Sequence, residues 1–353
     1  MKKYIIGVDI GGTKIAAGLI TTSGKLKTKI FVPTLAKDGF EKSLEQVYYS
    51  IEKVISLAKI SRKDIKGIGV CAPGPLDPVK GIVHNPPNLQ GWKEVPLRFL
   101  IEKRFKIKTK LENDANAAGM AELIWGAARG YKHVFYVTVS TGIGTAVIID
   151  SKIYHGKNGM AGEGGHVTIN YDQKDSLCAC GNIGCIESLA SGDYTVKRLM
   201  KRLEQHAPNV ETSHRDVSLS ANETLSSKLM SLVNGGLNKI TMVEIGKAAK
   251  QGDKLALAVI DEQAKLLGIW AGSMISLLDP EIIVIGGGVS SLGELLLSRI
   301  RKTIPFHTIN IFARKTPVVR AKLRKDVGIF GAASVFMKKT IDGYGKSCVL
   351  SRG

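Results

Sequence analysis

The chain has 353 residues, of which 44% are hydrophobic and 23% charged, and its 50 Lys and Arg against 31 Asp and Glu give a formal net charge of +19. This composition indicates a globular protein of about two domains and excludes a disordered chain, a collagen-like repeat and a disulfide scaffold. Because Thr, Ser and Gly interrupt the longest apolar runs well short of ~18 residues, we expect no membrane partner and a cytoplasmic location.

The first predicted elements are two strands joined by a glycine turn, in residues 4–20. The turn GVDIGGTK has the spacing of a phosphate loop but leads into a strand instead of a helix, which argues against a P-loop hydrolase and a dinucleotide-binding domain. Its glycines let backbone N–H groups approach an anion, and Asp9 suits a Mg²⁺ ion between the carboxylate and phosphates. A tight hairpin with a structural Asp9 is an equally good interpretation.

A helix, two strands and a second helix are predicted after this hairpin. Apolar residues recur at helical spacing in the first segment, and the two strands are apolar runs that end at turn or cap residues. The predicted ranges are 41–60 for the first helix, 65–74 and 107–112 for the strands, and 115–128 for the second helix.

An acidic residue lies at the junction of the second strand and the second helix, in the sequence LENDANAAG. Asp114 is placed to cap the predicted helix, which is the ordinary role of Asp at such a position. The functional alternative is a general base, kept ionised by the helix dipole, that takes a proton from an attacking hydroxyl group. Asn113 beside it would then hydrogen-bond a polar substrate.

The second half of the chain begins with a repeat of the first hairpin, since residues 133–149 again read as strand, glycine turn and strand. An internal duplication of this kind predicts two related α/β lobes that face a cleft. The remaining elements are predicted from three kinds of pattern. Helical spacing indicates helices, an apolar run before a glycine turn indicates a strand, and a polar segment indicates a loop. These elements are a loop or helical insert near 205–225, within a polar segment that runs to about 240, and a largely helical region at 244–278. A strand and glycine turn at 281–290 are followed by another helix, and the last helix is predicted at 327–339.

A histidine and three closely spaced cysteines indicate a metal site. One imidazole and three thiolates form a closed tetrahedral set for zinc, which predicts a structural ion and not a catalytic one. Glu163 and Glu187 flank this set, either as ligand-binding carboxylates or as plain surface residues. The predicted zinc ligands are His166, Cys178, Cys180 and Cys185.

Positive charge is concentrated in residues 299–325, the basic stretch, which holds nine basic residues and no acidic one. Across the whole chain, 37 of the 50 basic residues are Lys. Since phosphate clamps and base readers favour Arg, we interpret the excess as a basic surface and expect no specific nucleic-acid partner. No motif explains the basic stretch itself.

Taken in order, eight motifs resemble those of the ROK family of sugar kinases, and most of all its bacterial-type glucokinases. The motifs are DIGGTK, APGPLD, NPPNLQGW, ENDANAAG, STGIG, GEGGH, CACGNIGCIE and IGGGVS. The resemblance implies an actin-like (ribonuclease H-like) two-lobe α/β fold with ATP and sugar in the interlobe cleft. It places residues 1–117 and 326–353 in a small lobe and residues 118–325 in a large lobe with the zinc knuckle.

The resemblance also implies transfer of the ATP γ-phosphate to the 6-hydroxyl of a hexose, most simply glucose, with Asp114 as general base. Mg²⁺ would accompany ATP, and Zn²⁺ would be structural, with His166 facing both zinc and sugar. The implied sugar contacts are Gly74, Asn88, Asn113, Asp114, Glu163, His166 and Glu187. The implied ATP contacts are Asp9, Gly11, Gly12, Thr13, Lys14, Thr141, Gly142, Gly286, Gly287 and Gly288.

Alternatives within the family are kinases of N-acetylmannosamine, N-acetylglucosamine or fructose, and polyphosphate as the donor. A different class is the sugar-responsive repressor, which carries a helix-turn-helix domain ahead of the first hairpin; here that hairpin begins at residue 4, which disfavours a repressor. Binding to one defined operator at physiological salt would revive this alternative. We also expect a homo-oligomer, most simply a homodimer.

Overall fold

The computed structural model describes residues 3–172, 176–205, 228–234 and 236–337. Strands in these ranges are β1 (Tyr4–Ile10), β2 (Lys14–Thr21), β3 (Leu26–Pro33), β4 (Ile65–Ala72), β5 (Leu76–Asp77), β6 (Ile82–Val83), β7 (Thr109–Asn113), β8 (Val134–Val139), β9 (Ile143–Ile149), β10 (Lys152–Ile153), β11 (Ile282–Gly286) and β12 (Val318–Arg320). Helices there are α1 (Phe40–Ala58), α2 (Leu97–Phe105), α3 (Asp114–Trp125), α4 (Ile186–Ala190), α5 (Gly192–Gln205), α6 (Lys228–Leu232), α7 (Met242–Lys250), α8 (Lys254–Leu278), α9 (Glu294–Thr303) and α10 (Val327–Ser334).

Both glycine hairpins, the helix after the first of them and the buried strands form as the sequence predicts. The helical region at 244–278 is divided into α7 and α8, because Gly252 has a left-handed φ of 79° and Asp253 starts a new helix. The Asp253 side chain caps α8 by accepting the N–H of Ala256 at 2.8 Å.

Two predictions fall partly outside the described residues. Most of the polar segment near 205–240 lies there, as do residues 338–339 of the last predicted helix; the described part of that helix is α10. Strand β3 and helices α2 and α5 were not predicted from the sequence.

Two five-stranded sheets repeat one topology. The first has the order β3-β2-β1-β4-β7, and the second has the order β10-β9-β8-β11-β12. In the first, β1 pairs antiparallel with β2 and parallel with β4, which in turn pairs parallel with β7. In the second, β9 and β10 are antiparallel and β11 and β12 are parallel. The repeated order confirms the predicted internal duplication.

The first sheet brings three chemically active side chains into one row. Asp9 of β1 pairs with Cys71 of β4, and Cys71 pairs with Glu112 of β7. All three are penultimate residues of parallel strands. Paired residues on neighbouring strands point to the same face, so these side chains share one face at the carboxyl edge of the sheet, where α/β proteins bind their ligands.

Helices cover both faces of this sheet. The buried face of α1 contributes Val47, Ile51 and Val54 to a core with β1, β2 and β4. On the opposite face, α10 packs Ile329 and Phe330 against residues of β1, β2 and α3. Burial on both faces explains why β4 is a nearly continuous apolar run in the sequence.

The chain divides into two compact units. Unit 1 takes Met1–Tyr136, Thr145–Gly162 and Ala321–Gly353, and unit 2 takes Val137–Gly144 and Glu163–Arg320, each as far as these ranges are described. The lobe boundaries that the family resemblance implies stay a prediction. None of the described helices combines the length and apolar composition that crossing a membrane requires.

Candidate functional site

The junction of β7 and α3 in unit 1 positions the proposed base. The N-cap of α3 is Asn113, whose Oδ1 accepts the N–H groups of Ala115 and Asn116 at 2.9 and 3.2 Å. The sequence-based assignment of the cap to Asp114 was therefore wrong by one residue. Asp114 is the first helical residue, and its exposed carboxylate accepts the N–H of Ala115 at 2.7 Å. The positive end of the helix dipole stabilises an anion at this position.

Gly74 lies beside this junction, as the resemblance implies for a sugar-binding residue. A Cβ atom on Gly74 would be 3.6 Å from Nδ2 of Asn113. The cap uses Oδ1 of Asn113, so its Nδ2 amide faces the Gly74 backbone. This part of unit 1 thus combines an amide donor, an exposed carboxylate and a close backbone segment, which suits a polyhydroxyl ligand.

The first glycine turn contacts the Asn-rich loop of the same unit. A Cβ atom on Gly12 would lie 3.0 Å from both Cβ and the carbonyl oxygen of Asn88. A hydrogen bond of 3.0 Å from the Gly11 N–H to the Lys14 carbonyl closes the turn. The side chain of Thr13 is exposed. Nζ of Lys14 lies 5.6 Å from the centre of the Phe31 ring. The structure therefore brings a predicted phosphate residue, Gly12, next to a predicted sugar residue, Asn88.

Asp9 has an unusual environment for a carboxylate. Its Oδ1 lies 3.4 Å from the Cys71 thiol, and a Cβ atom on Gly328 would overlap its Oδ2. Burial raises the pKa of Asp9, and the Cys71 hydrogen bond and the charge of Lys14 offset this only in part. Burial and the nearby Asp9 charge also hold the pKa of Cys71 well above its usual range, so the thiol donates to the carboxylate. A cation near Asp9 would favour its ionised form.

The four predicted zinc ligands come together in unit 2. Their donor atoms all lie within 4.8 Å of one another. Nδ1 of His166 is 3.5 Å from Sγ of Cys178, and Sγ of Cys180 is 3.7 Å from Sγ of Cys185. Tetrahedral zinc with bonds of 2.0–2.3 Å requires donor separations of about 3.4–3.8 Å, so this set fits a zinc ion.

Glu187 connects this cluster to the second glycine turn. One carboxylate oxygen accepts the N–H of Ile143 at 2.8 Å, and the other lies 3.7 Å from Sγ of Cys178. A Cβ atom on Gly142 would overlap the first oxygen. Within unit 2 the predicted sugar residue Glu187 therefore contacts the predicted phosphate turn at Thr141 and Gly142.

Glu163 and His166 border a short 3-10 helix, Gly164–His166. Glu163 is exposed, and His166 turns Nδ1 toward the cysteines. Zinc binding through Nδ1 would leave Nε2 for a second partner, as the predicted double role of His166 requires.

The third glycine turn, Gly286 to Gly288, follows β11 and approaches the end of β8. Gly287 has a φ of 79°, and a Cβ atom there would overlap the carbonyl oxygen of Val139. Gly288 is near Oγ of Ser140, whose carbonyl accepts the N–H of Gly192 at 2.7 Å. The family resemblance assigns these glycines to the adenosine of ATP. They thus lie beside Val139 and Ser140, which directly precede the turn at Thr141 and Gly142.

Sequence reasoning missed one histidine near the base. Nε2 of His155 lies 3.1 and 3.0 Å from the two carboxylate oxygens of Glu112, which is buried directly before Asn113. The pair is 43 residues apart in sequence. The only signal was the position of His155 at the start of the glycine-rich run HGKNGMAGEGGH.

The basic stretch does not act as one patch. It crosses the boundary between the units at Arg320, and Arg299 and Arg301 pair with Asp261 and Glu294. In unit 2 a cavity of about 340 Å³ is lined by Arg301, Arg314 and Lys315 together with Ile304 and residues 316–319. It contains none of the residues that the sequence assigns to sugar or ATP.

Comparison with known proteins agrees with these features. Residues 5–339 match the ROK family. A glucokinase from Thermotoga maritima is 32% identical over 342 residues, which cover 97% of this chain and 99% of that protein. A xylose repressor from Caldicellulosiruptor bescii is 32% identical over 300 residues, which cover 85% of this chain and 69% of the repressor.

A solved structure gives the same result. The ROK family glucokinase from Streptomyces griseus in complex with glucose and AMPPNP has a TM-score of 0.77 at 32% identity, covering 94% of this chain and 98% of that one. The predicted actin-like two-lobe α/β fold is thereby confirmed. With the match across nearly the whole length, the chain belongs to the ROK family.

Proposed function

We propose that this protein is an ATP-dependent sugar kinase that converts glucose to glucose 6-phosphate. The observation that carries the proposal is the junction at α3. Asn113 caps the helix, and Asp114 presents an exposed carboxylate from the first turn, next to an amide that faces Gly74. The similarity to glucokinases over nearly the whole chain supports glucose as the acceptor.

In this mechanism Asp114 takes the proton of the sugar 6-hydroxyl while the hydroxyl oxygen attacks the γ-phosphorus of ATP. The bond from that phosphorus to the bridging oxygen of the β-phosphate breaks, and ADP leaves. Phosphoryl transfer depends mainly on positioning and on neutralising charge, so one base and a set of well-placed donors are sufficient. Asn113, Asn88 and the Gly74 backbone of unit 1 would bind sugar hydroxyls, as would Glu163, His166 and Glu187 of unit 2.

The three glycine turns would bind ATP. Gly11, Gly12, Thr13 and Lys14 in unit 1 and Thr141 and Gly142 in unit 2 would face its phosphates, and Gly286 to Gly288 would contact the adenosine. Asp9 would hold Mg²⁺ directly or through water, and the ion would neutralise phosphate charge. Burial raises the pKa of Asp9, and a bound cation would favour its ionised form.

Zinc would be a structural ion in this account. Three cysteines and one histidine fill a tetrahedral shell, which leaves no position for substrate. The ion would fix the ring of His166, while Glu187 beside the cluster is held by the N–H of Ile143. Thiolate ligands require a reducing compartment, and a kinase requires one that contains ATP. Both requirements support a location in the cytoplasm.

The test measures turnover across a panel of sugars, by ADP release when ATP is the donor and by formation of sugar phosphate when polyphosphate is the donor. We expect the highest kcat/KM with glucose and ATP. Hydrogen-bonding sites reject wrong hydroxyl patterns strongly, so the panel separates glucose from N-acetylmannosamine, N-acetylglucosamine and fructose. If one of these three sugars is clearly preferred, it replaces glucose as the proposed acceptor. If no sugar of the panel, glucose included, is phosphorylated, the kinase proposal is contradicted.

A homodimer is the simplest assembly, and unit 2 offers a surface for it. We define the apolar surface as Leu277, Phe306, Ile309, Ile311 and Phe312, which are 62–89% exposed. Its two segments are joined by hydrogen bonds from Ser276 to Thr308 and from Asn310 to Asp279. Exposed apolar patches of this kind mark interaction sites, and a two-fold axis would cover the surface with its own copy.

A further inference from the structure

The buried carboxylate of Glu112 holds the junction on which Asp114 lies. Its side chain is 7% exposed. Oε1 accepts the N–H of Asn113 at 3.0 Å and the Nδ2 amide of Asn116 at 3.2 Å. These two residues stand on either side of Asp114 in sequence, and both take part in the first turn of α3. The position of Asp114 is thus set by neighbours that are bound to Glu112.

His155 completes the environment of this carboxylate. Its Nε2 lies within 3.1 Å of both oxygens of Glu112. Because Glu112 already accepts two hydrogen bonds, we infer that Nε2 carries the proton and donates it. A third donor that faces both oxygens stabilises the buried carboxylate further, because hydrogen bonds to an ionised group are stronger than those between neutral groups.

The histidine itself is anchored by its own loop. The carbonyl of His155 accepts the N–H of Ala161 at 3.0 Å, which closes residues 155–161 into a ring. The hydroxyl of Thr145 donates to the carbonyl of Gly162 and fixes the end of this loop. His155 therefore approaches Glu112 from a constrained segment, as a group that positions another requires.

We propose that His155 is a positioning residue for phosphoryl transfer, which acts through Glu112 to fix the direction of the Asp114 carboxylate. This inference rests on the proposed role of Asp114 as the base. His155 does not have to touch either substrate. Removal of its N–H would loosen the hydrogen bonds of Glu112 with Asn113 and Asn116, and a small displacement of a catalytic group is costly in rate.

The kinetic test compares three histidine variants. His155→Ala should lower kcat with glucose roughly 10- to 100-fold and change KM for ATP by less than about twofold. His155→Gln should restore most of kcat, because the Gln amide can donate from nearly the position of Nε2. The matched control is His133→Ala, since His133 is a more exposed histidine 3.7 Å from Asp150; its kcat should equal that of the wild type. Wild-type kcat in His155→Ala, or a Gln variant as slow as the Ala variant, would overturn the proposal.

A double-mutant cycle shows whether the histidine acts through Glu112. Glu112→Gln removes the charge and presents an amide to His155, so it should lower kcat to a similar extent. Combined with His155→Ala, it should cost no more than the larger single change, because both remove one interaction. Multiplicative losses would refute action through Glu112. If His155→Ala does not fold, His155→Asn, whose shorter amide cannot reach Glu112, takes its place both in the kinetic test and in this cycle.

Hydrogen exchange gives a readout that does not depend on activity. The N–H groups of Ala115 and Asn116 are bonded to Asn113, so their exchange should be at least about tenfold faster in His155→Ala, while peptides of α8 stay unchanged. Unchanged exchange at the junction would contradict the positioning role. If the wild type phosphorylates no sugar, the proposed function fails, whereas the exchange result still decides whether His155 orders this turn.

Discussion

At the scale of single residues, Asp9 shows how the surroundings of a proposed metal ligand set its contacts and its pKa. It is paired with the Cys71 thiol, and Gly328 leaves space for its carboxylate. Burial raises the pKa of Asp9 above the ordinary 3.8. The folded protein therefore keeps this proton to a higher pH than the unfolded chain does, and the free energy of unfolding contributed by Asp9 falls as pH rises above 3.8 through the folded pKa.

This linkage predicts opposite effects of Asp9→Asn on stability and on activity. At pH 7 without nucleotide, the melting temperature should rise, because a buried charge is removed. The kcat/KM for Mg-ATP should fall roughly 10- to 100-fold, because the cation loses its carboxylate. Asp64→Asn changes an exposed aspartate of the same unit and is the control for both measurements. A lower melting temperature together with unchanged kcat/KM would show that Asp9 is structural.

The junction at α3 also shows what one sequence can and cannot reveal about a residue. Asn and Asp are both good N-caps, so ENDANAAG identifies a helix start but not which of the two residues caps it. The choice depends on the extended conformation of Asn113, with φ of −67° and ψ of 146°. The His155 contact was unpredictable for another reason, because only the fold brings that residue to Glu112.

At the scale of elements, local patterns predicted the parts of the fold that are buried on both sides. Strands β1, β2 and β4 are largely apolar, and most of their residues are buried. Strand β3 was missed because it mixes Lys and Thr with apolar residues and is mostly half-exposed or exposed. Helix α2 was missed because nine residues with three basic side chains give little helical periodicity.

The zinc knuckle is the element whose prediction is most direct to check. Purified protein should contain one zinc per chain by elemental analysis, because four ligands are gathered in one cluster. Cys180→Ser should lose the ion to a chelator that leaves the wild type loaded, and its melting temperature should fall. Cys71→Ala, in which a cysteine outside the cluster is changed, should keep its zinc. A folded wild type without zinc would refute the site.

At the scale of the whole molecule, the net charge of +19 bears on assembly more than on catalysis. The basic stretch is divided between the two units, and two of its arginines are paired with acidic residues. Arg314 and Lys315, however, lie two and three residues after Phe312, the most exposed residue of the apolar surface. In a two-fold dimer built on the apolar surface, both copies would bring these cations to the same interface, so repulsion would oppose the apolar contact.

We therefore predict a dimer that becomes tighter with salt. Sedimentation should show a dimer whose dissociation constant decreases between low and physiological salt, because screening weakens the repulsion. The double variant Phe306→Ser with Phe312→Ser should be monomeric under the same conditions. Val79→Ser removes an apolar side chain that is 81% exposed in unit 1, and it should remain dimeric. A monomeric wild type, or a dimeric double variant, would contradict this interface.

The central claim is that Asp114 is the general base of a glucose kinase, and one comparison tests it most directly. Wild type and Asp114→Asn are measured side by side for ADP release with glucose and ATP, and for glucose binding by calorimetry. The account predicts that Asp114→Asn loses at least about 10²-fold in kcat and still binds glucose within about tenfold of the wild type. Near-normal turnover in Asp114→Asn would contradict it.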